Sequence, residues 1–305
     1  MVRLSVVVPV YNDPEGICET LESLLELDYP DEDHEILVVD NNSTDRTRDV
    51  ATNIAATAST VHVLFEDERQ SSYAARNRGI RRADGDIIAF LDADMTVERS
   101  WLSDLDTLFR QRDVDYVGCA VEMFVPGERR TLVGEYNVTV GFATGVTIET
   151  QQYAPTCCLA VRREVFEDVG LFDAQLVSSG DWEFGRRVAA AGHEQYYADE
   201  IDVKHPARTT IQEMVRKSKR IGTGQEQIHQ RYPETGWTRP WYHPFAVLPP
   251  RPSTFYLKTN GANTISRLLG FYLLTYALKI LRWAFRVNYR FSRSHGSATA
   301  ESAPS

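Results

Sequence analysis

The sequence predicts an α/β chain, a doubly wound and mostly parallel sheet followed by a helical C-terminal appendage. Three observations predict it. Short apolar, β-rich runs alternate with helix-length stretches through roughly the first hundred residues. One of those runs, "IIAFLDADM", ends in two carboxylates, Asp92 and Asp94. Beyond residue 209 the alternation gives way to a helix-rich, then aromatic and apolar composition. Strand and helix patterns in alternation imply βαβ units, whose helices cover both faces of a sheet.

Strand-like runs fall at 4–10, 35–40, 61–65 and 86–91, separated by helical stretches near 14–27, 45–58 and 73–83. The opening "MVRLSVVVPVYND" carries one arginine and a short apolar run broken by Pro9. It reads as a strand and not as a signal peptide, which implies a cytoplasmic chain. In such sheets the ligand lies outside the carboxyl ends of the strands. Those ends are "PVYND", "VVDNNSTD" and "FLDADM". The same D-x-D pattern occurs at Asp31/Asp33, Asp84/Asp86, Asp104/Asp106 and Asp113/Asp115, but these precede the strand or fall in helices and connections. Position singles out Asp92 and Asp94.

Composition sets the outer limits. A chain of 305 residues with 43% apolar and 25% charged residues can bury a full core. Its net charge of −10 excludes general binding to nucleic acid, which needs a basic face. Basic residues are almost all arginine, with lysine only at 204, 217, 219, 258 and 279. The acidic excess suits a high-salt cytoplasm, and a GC-rich genome accounts for the arginines equally well. Cys18, Cys119, Cys157 and Cys158 form no C-x-x-C and read as reduced thiols. Neither a Walker loop nor a G-x-G-x-x-G fingerprint is present.

Two aspartates flanking one small residue at a strand end offer hard oxygen ligands. Mg²⁺ or Mn²⁺ usually keeps several waters and takes one or two carboxylates plus substrate phosphates, so this pair suits a nucleotide diphosphate. A second acidic group, Asp181 in "SSGDWEFGRRVAAAGH", opens a helix. A carboxylate there serves as an N-cap or as a general base. Glu183 points elsewhere on the same helix and is the weaker candidate for the base.

In order, "VVVPVYND", "VVDNNSTDRT", "SSYAARNRGIRRADGDIIAFLDADM", "CCLAVRREVFEDVGLFD" and "GDWEFGRRVAAAG" resemble the motifs of the family 2 glycosyltransferases over about residues 4–205. The resemblance implies a GT-A fold over 1–208, with a nucleotide-binding half at 1–97 and an acceptor-binding half at 98–208. It implies an inverting enzyme that uses a UDP- or GDP-sugar and Mg²⁺ or Mn²⁺. Carried over residue by residue, it assigns Pro9, Tyr11 and Asp40 to the nucleotide pocket, with Asp40 at the base. It sets Arg76 and Asn77 beside the nucleotide, Asp92 at the ribose or sugar, and Asp94 on the metal. Asp181 matches the expected catalytic base. His205 in "VKHP" lies where many members place a histidine near the metal, although a histidine at a strand end is also a common structural hydrogen-bonder. Inversion needs one base and no second, nucleophilic carboxylate, and no residue obviously supplies one.

The chain also departs from the family pattern. Gly180 stands where the family has a glutamate before the base, Cys158 precedes "LAVRR", and the "QxxRW" signature of processive synthases is missing. One sugar per encounter is implied.

Residues 209–293 read as a helical, membrane-facing region and 294–305 as a disordered tail. The apolar run "LLGFYLLTYALKILRWAFRVNYRF" is interrupted by charge sooner than the ~20-residue span a bilayer requires. Lys279, Arg282, Arg286, Arg290 and Arg293 recur at three- and four-residue spacing as a basic stripe. That is the pattern of a helix lying on an anionic cytoplasmic membrane surface, and equally of a buried helix with a solvated edge. A second basic cluster, Arg216, Lys217, Lys219 and Arg220, precedes "GTG". Together these features imply a peripheral membrane glycosyltransferase with a polyprenyl-linked acceptor in cell-surface glycan or protein N-glycan assembly. The alternative is a non-catalytic sugar-nucleotide-binding protein of the same fold.

Overall fold

The computed structural model describes residues 3–127, 131–251 and 265–298, with side chains described up to residue 292. In chain order the elements are β1 (Leu4–Val10), α1 (Pro14–Leu25), β2 (His34–Asp40), α2 (Thr47–Ala55), β3 (Val61–Phe65), α3 (Ser72–Arg82), β4 (Ile87–Phe90) and β5 (Thr96–Val97). There follow α4 (Trp101–Gln111), β6 (Tyr116–Phe124), α5 (Leu132–Val140), α6 (Thr144–Gln151), β7 (Leu159–Arg162), α7 (Arg163–Val169), α8 (Gly180–Ala191), β8 (Gln195–Pro206), α9 (Ile211–Arg231) and α10 (Ile265–Ala298). They form two compact units. The first holds Met1–Phe124, Gly141–Gln175 and Gly180–Pro206; the second holds Val125–Val140, Leu176–Ser179 and Ala207–Ser305.

The first unit is one eight-stranded sheet in the order β3-β2-β1-β4-β7-β6-β8-β5. β1 pairs in parallel with β2 and β4, and β2 with β3, as the alternating pattern predicts. Every residue of β1 and β2 is buried, because strands flanked on both sides and covered on both faces have no solvent side. The later half is mixed: β7 runs antiparallel to both β4 and β6, while β6 and β8 are parallel. Helix ends follow local chemistry. Asp13 caps α1 by accepting from the Gly16 N–H at 3.0 Å, with Pro14 in the first turn. All four cysteines are free, with Cys119, Cys157 and Cys158 buried.

The second unit packs α5, α9 and α10 around Val133, Tyr136, Met214, Phe271 and Leu278. α9 starts with a capping box between Thr210 and Glu213. The "GTG" stretch lies inside α9, not after it. Gly222 there faces α10 so closely that a Cβ would sit 2.3 Å from the Arg282 carbonyl oxygen. The basic stripe of α10 is divided between different partners. Arg286 and Arg290 donate to the buried Glu226 carboxylate at 2.7 and 2.8 Å, and Lys279 donates to the Leu248 carbonyl at 2.8 Å. Burial opposes the charge on Glu226, but its bonds to Arg286, Arg290 and Gln230 outweigh that and hold its pKa below the usual value. The side chain of Arg293 lies outside the described residues.

Ile265, Leu269 and Leu273, at successive four-residue steps, and Phe291 are exposed on α10. Within Ile265–Ser292 an 18-residue window reaches a mean hydropathy of 1.3, so the helix is long and apolar enough by length and composition to cross a membrane. Lys279 and Arg282 still interrupt that run, as the sequence leads one to expect. α10 also runs past residue 293 into the expected tail, of which 299–305 lie outside the described residues.

One histidine links three segments of the first unit. His193 bonds Asp115 through Nδ1 and Asp168 through Nε2, each at 3.0 Å. Burial opposes its charge, but the two carboxylates outweigh that and raise its pKa above 6.5. A raised folded pKa stabilises below the unfolded value, and the contribution is lost as pH rises through the folded one. The melting temperature of the wild type should therefore fall relative to His193→Asn as pH increases from about 6 to 8. Parallel curves for the two proteins would exclude this linkage.

Candidate active site at the carboxyl edge

The turn carrying Asp92 and Asp94 leaves β4 and is held from three directions. The Met95 N–H donates to the Asp92 carbonyl at 3.2 Å, closing the turn. Thr20 Oγ1 of α1 donates to the Met95 carbonyl at 2.7 Å. Gly16, one turn earlier on α1, lies so near the Ala93 carbonyl that a Cβ would stand 2.4 Å from it. The turn then enters β5, where Thr96 pairs with Lys204 of β8. That register brings His205, the next residue of β8, to the same end of the sheet.

One face of α3 organises the surroundings. Arg76 is buried and its Nη2 donates to Asp92 Oδ1 at 2.5 Å, while its buried Nε has no partner among the described residues. The Arg76 guanidinium carbon lies 5.9 Å from the centre of the Tyr73 ring. Tyr73 Oη in turn accepts from the Gly180 N–H at 2.8 Å. Gly180 begins α8, and a Cβ on it would come 2.7 Å from the Tyr73 ring. The absence of the family's glutamate at this position thus has a steric reason, since Tyr73 fills the space. Asp181 follows directly, its Oδ1 accepting from the Trp182 N–H at 2.9 Å.

Asn77, next on α3, binds the backbone of another segment. Its Nδ2 donates to the Phe172 carbonyl at 2.8 Å and its Oδ1 accepts from the Phe172 N–H at 3.1 Å, so the buried amide is engaged in bracing α3. Asp40 is likewise engaged. It is fully buried at the end of β2 and receives Arg48 through Nε at 3.0 Å and Nη2 at 2.7 Å. Arg48 lies 4.3 Å over the Phe65 ring. Pro9 is buried in β1 opposite Val39, and Tyr11 is exposed just beyond that strand. The loops after β1 and β2 are joined by Asn12, which adopts a left-handed φ of 49°, donates from its backbone N–H to Ser43 Oγ and accepts the Thr44 N–H.

Glu183, the weaker candidate for the base, is engaged elsewhere. It is buried and forms a forked pair with Arg187, at 2.5 and 2.9 Å, and Arg187 also donates to the Val169 and Leu171 carbonyls. This pair holds the segment before α8 in place.

The turn offers oxygen ligands of the kind a divalent cation takes. Among the described residues no three His, Cys, Asp or Glu side chains gather to hold an ion. Asp92 has one oxygen on Arg76. His205 is buried with Nδ1 2.7 Å from the Pro206 carbonyl. A carbonyl only accepts, so Nδ1 carries a proton, and in the neutral tautomer Nε2 would keep its lone pair. Few protein ligands, with oxygen predominant, fit Mg²⁺ or Mn²⁺ carrying substrate phosphates and water.

Sequence reasoning missed Tyr73, Arg48 and the Glu183–Arg187 pair as parts of this edge. Tyr73 stands three residues before Arg76, on the same helix face, and the glycine at 180 was the other available sign. Gly180→Ala should destabilise by about 1–3 kcal/mol through overpacking against Tyr73. Combined with Tyr73→Ala it should cost less than the sum of the two, by more than ~0.5 kcal/mol in a denaturant-based double-mutant cycle. Additive values would show that the ring and the glycine do not meet.

The model of glycosyl transferase family 2 matches residues 5–170. A relative from Haloferax volcanii, glycosyltransferase AglE, is 37% identical over 225 residues, covering 74% of this chain and 73% of its own. A dolichyl N-acetyl-α-D-glucosaminyl phosphate 3-β-D-2,3-diacetamido-2,3-dideoxy-β-D-glucuronosyltransferase from Methanococcus voltae is 21% identical over 256 residues, covering 80% of each chain. Among solved structures, the Pyrobaculum calidifontis mannosyltransferase PcManGT, in complex with GDP-Man and Mn²⁺, aligns with a TM-score of 0.66 at 20% identity. That alignment covers 95% of this chain and 88% of the other. TarS from S. aureus, in complex with UDP-GlcNAc, aligns at 0.57 and 16% identity over 96% of this chain and 92% of its own. The sheet, the ordered motifs and these likenesses agree: the chain is a glycosyltransferase and belongs to glycosyl transferase family 2.

Proposed function

We propose that this enzyme moves a single sugar, with inversion, from a UDP- or GDP-sugar to a polyprenyl- or dolichyl-linked acceptor in cell-surface glycan or protein N-glycan assembly. The observation that carries the reading is the run of contacts from Asp92 through Arg76 and Tyr73 to Gly180, which links the carboxylate turn to the start of the helix bearing Asp181. A donor-side carboxylate and an acceptor-side base are the two groups an inverting displacement needs. The Methanococcus voltae relative, named for a dolichyl phosphate substrate, supports the lipid-linked acceptor. The nucleotide sugars named with PcManGT and TarS support the donor class.

In this reading Pro9 and Tyr11 border the nucleotide, and Asp40, fixed by Arg48, shapes the floor of its pocket. Arg76 holds Asp92 against the donor. Asp94, with Nε2 of His205, would hold Mg²⁺ or Mn²⁺. The bound ion would offset charge on the departing diphosphate. Asp181 takes the proton from the acceptor hydroxyl. Tyr73 sets the position of α8 and hence of that carboxylate.

The enzyme works at the cytoplasmic face of the membrane, with the exposed Ile265, Leu269 and Leu273 of α10 entering the lipid surface. Anionic lipid adds about 1 kcal/mol for each nearby basic residue.

Asp181→Asn should lower turnover by roughly 10²–10⁴-fold while Mn²⁺-dependent nucleotide-sugar binding, measured by calorimetry, persists. Undiminished turnover would remove Asp181 from the role of base. Replacing Ile265, Leu269 and Leu273 together by serine should release the protein from sedimenting phospholipid vesicles. If that variant still sediments like the wild type, α10 is not the attachment.

A further inference from the structure

The second unit contains a cavity of about 400 Å³ between α10 and the segment around 239–250. Its lining includes Arg239, His243, Lys279, Arg282 and Arg286 and not one acidic side chain. Arg286 is balanced by Glu226, but the other cations are not. Among the described residues, Arg282 makes a single hydrogen bond, from Nε to the Leu278 carbonyl at 3.3 Å, and Lys279 donates to the Leu248 carbonyl. Arg239 stacks 5.1 Å from the Phe245 ring centre. None of these three forms an ion pair among the described residues. His243 adds a donor: its Nδ1 accepts the Phe245 N–H, so in the neutral ring Nε2 carries the proton.

Gathering unpaired cations around one space, partly out of water, is electrostatically costly unless an anion joins them. The surroundings also restrict what that anion carries. Phe245 and Trp283 line the same cavity. On α10 the exposed positions 265, 269 and 273 lie on a helix face adjacent to the one bearing 275, 279, 282 and 286, at 3.6 residues per turn.

We propose that this cavity is a binding site for the phosphate group of a lipid, held by Arg239, Lys279 and Arg282 with the apolar chain leaving beside Trp283. The same chemistry is offered by an anionic phospholipid and by a polyprenyl phosphate. The proposal deepens the reading of a lipid-linked acceptor and rests on it for the second of these sources, not for phosphate binding itself.

The test uses the full-length protein and vesicles of neutral phosphatidylcholine, doped with either phosphatidic acid or a polyprenyl phosphate at equal content. Doping should tighten binding, and the better dopant identifies the source. Arg239→Gln and the double variant Lys279→Met/Arg282→Gln should each reduce that gain, the double by roughly tenfold or more. Arg267→Gln removes an exposed cation on α10 outside the cavity, and should reduce the gain less than either cavity variant. Inorganic pyrophosphate should compete in the wild type. Arg239 is exposed, so its variant tests the site even if the double variant fails to fold. The proposal falls if Arg239→Gln keeps the full gain, if Arg267→Gln loses as much as the cavity variants, or if neither dopant improves on neutral vesicles. The readout is lipid binding and not sugar transfer, so its failure leaves the role of Asp181 standing, and the reverse also holds.

Discussion

The contact between Arg76 and Asp92 is the constraint on which the carboxyl edge of the sheet depends. A buried guanidinium is costly without a counter-charge, and Asp92, itself partly exposed, supplies one. Because Arg76 lies on α3, that requirement locks the helix to the turn after β4. The same helix face then sets two other elements, since residues three and four apart share a side. Tyr73 receives the first amide of α8, and Asn77 clasps the backbone of Phe172. A single helix therefore fixes Asp92 and the start of the helix carrying Asp181.

The carboxyl edge looks strongly acidic in sequence, yet its carboxylates are largely matched to arginines. Asp40 has Arg48, Asp92 has Arg76, and Glu183 has Arg187. In two of these three pairs both carboxylate-facing nitrogens of the fork are used, an arrangement lysine cannot reproduce. The near absence of lysine from the chain is thus accompanied by a structural use of arginine, whatever its genomic or osmotic origin. Arg187 extends the principle, since its remaining donors satisfy backbone carbonyls in the segment 169–171.

The parallel half of the sheet was legible in the sequence because its signals are local: each strand is a short apolar run and each helix has its own period and caps. Observed boundaries lie within a few residues of the patterns, α2 being the shortened case at 47–55 against 45–58. The position of Asp92 and Asp94 was legible for the same reason. What could not be read was pairing between distant segments. The direction of β7 leaves no trace in a run of four apolar and basic residues. Tyr73 and Gly180 meet across more than a hundred residues, and neither residue type announces the other. The saturation of Asp40 and Asn77 by internal partners is equally invisible to a motif, which records residue types and not the bonds they have already made.

The basic residues of α10 show the same limit in its sharpest form. Recurrence at three and four residues says only that they share a helix face. It does not say whether that face meets water, lipid headgroups, a carboxylate or an enclosed space. Here Glu226 divides the row: it is buried, so it must be paired, and it takes Arg286 and Arg290. Lys279 and Arg282, a turn or two earlier, turn to a cavity without acidic residues. The apolar side of the helix is what remains exposed. A pattern that suggests a basic membrane-facing stripe therefore resolves into a structural ion pair, an anion-seeking cavity and an apolar face, three physical roles along one helix.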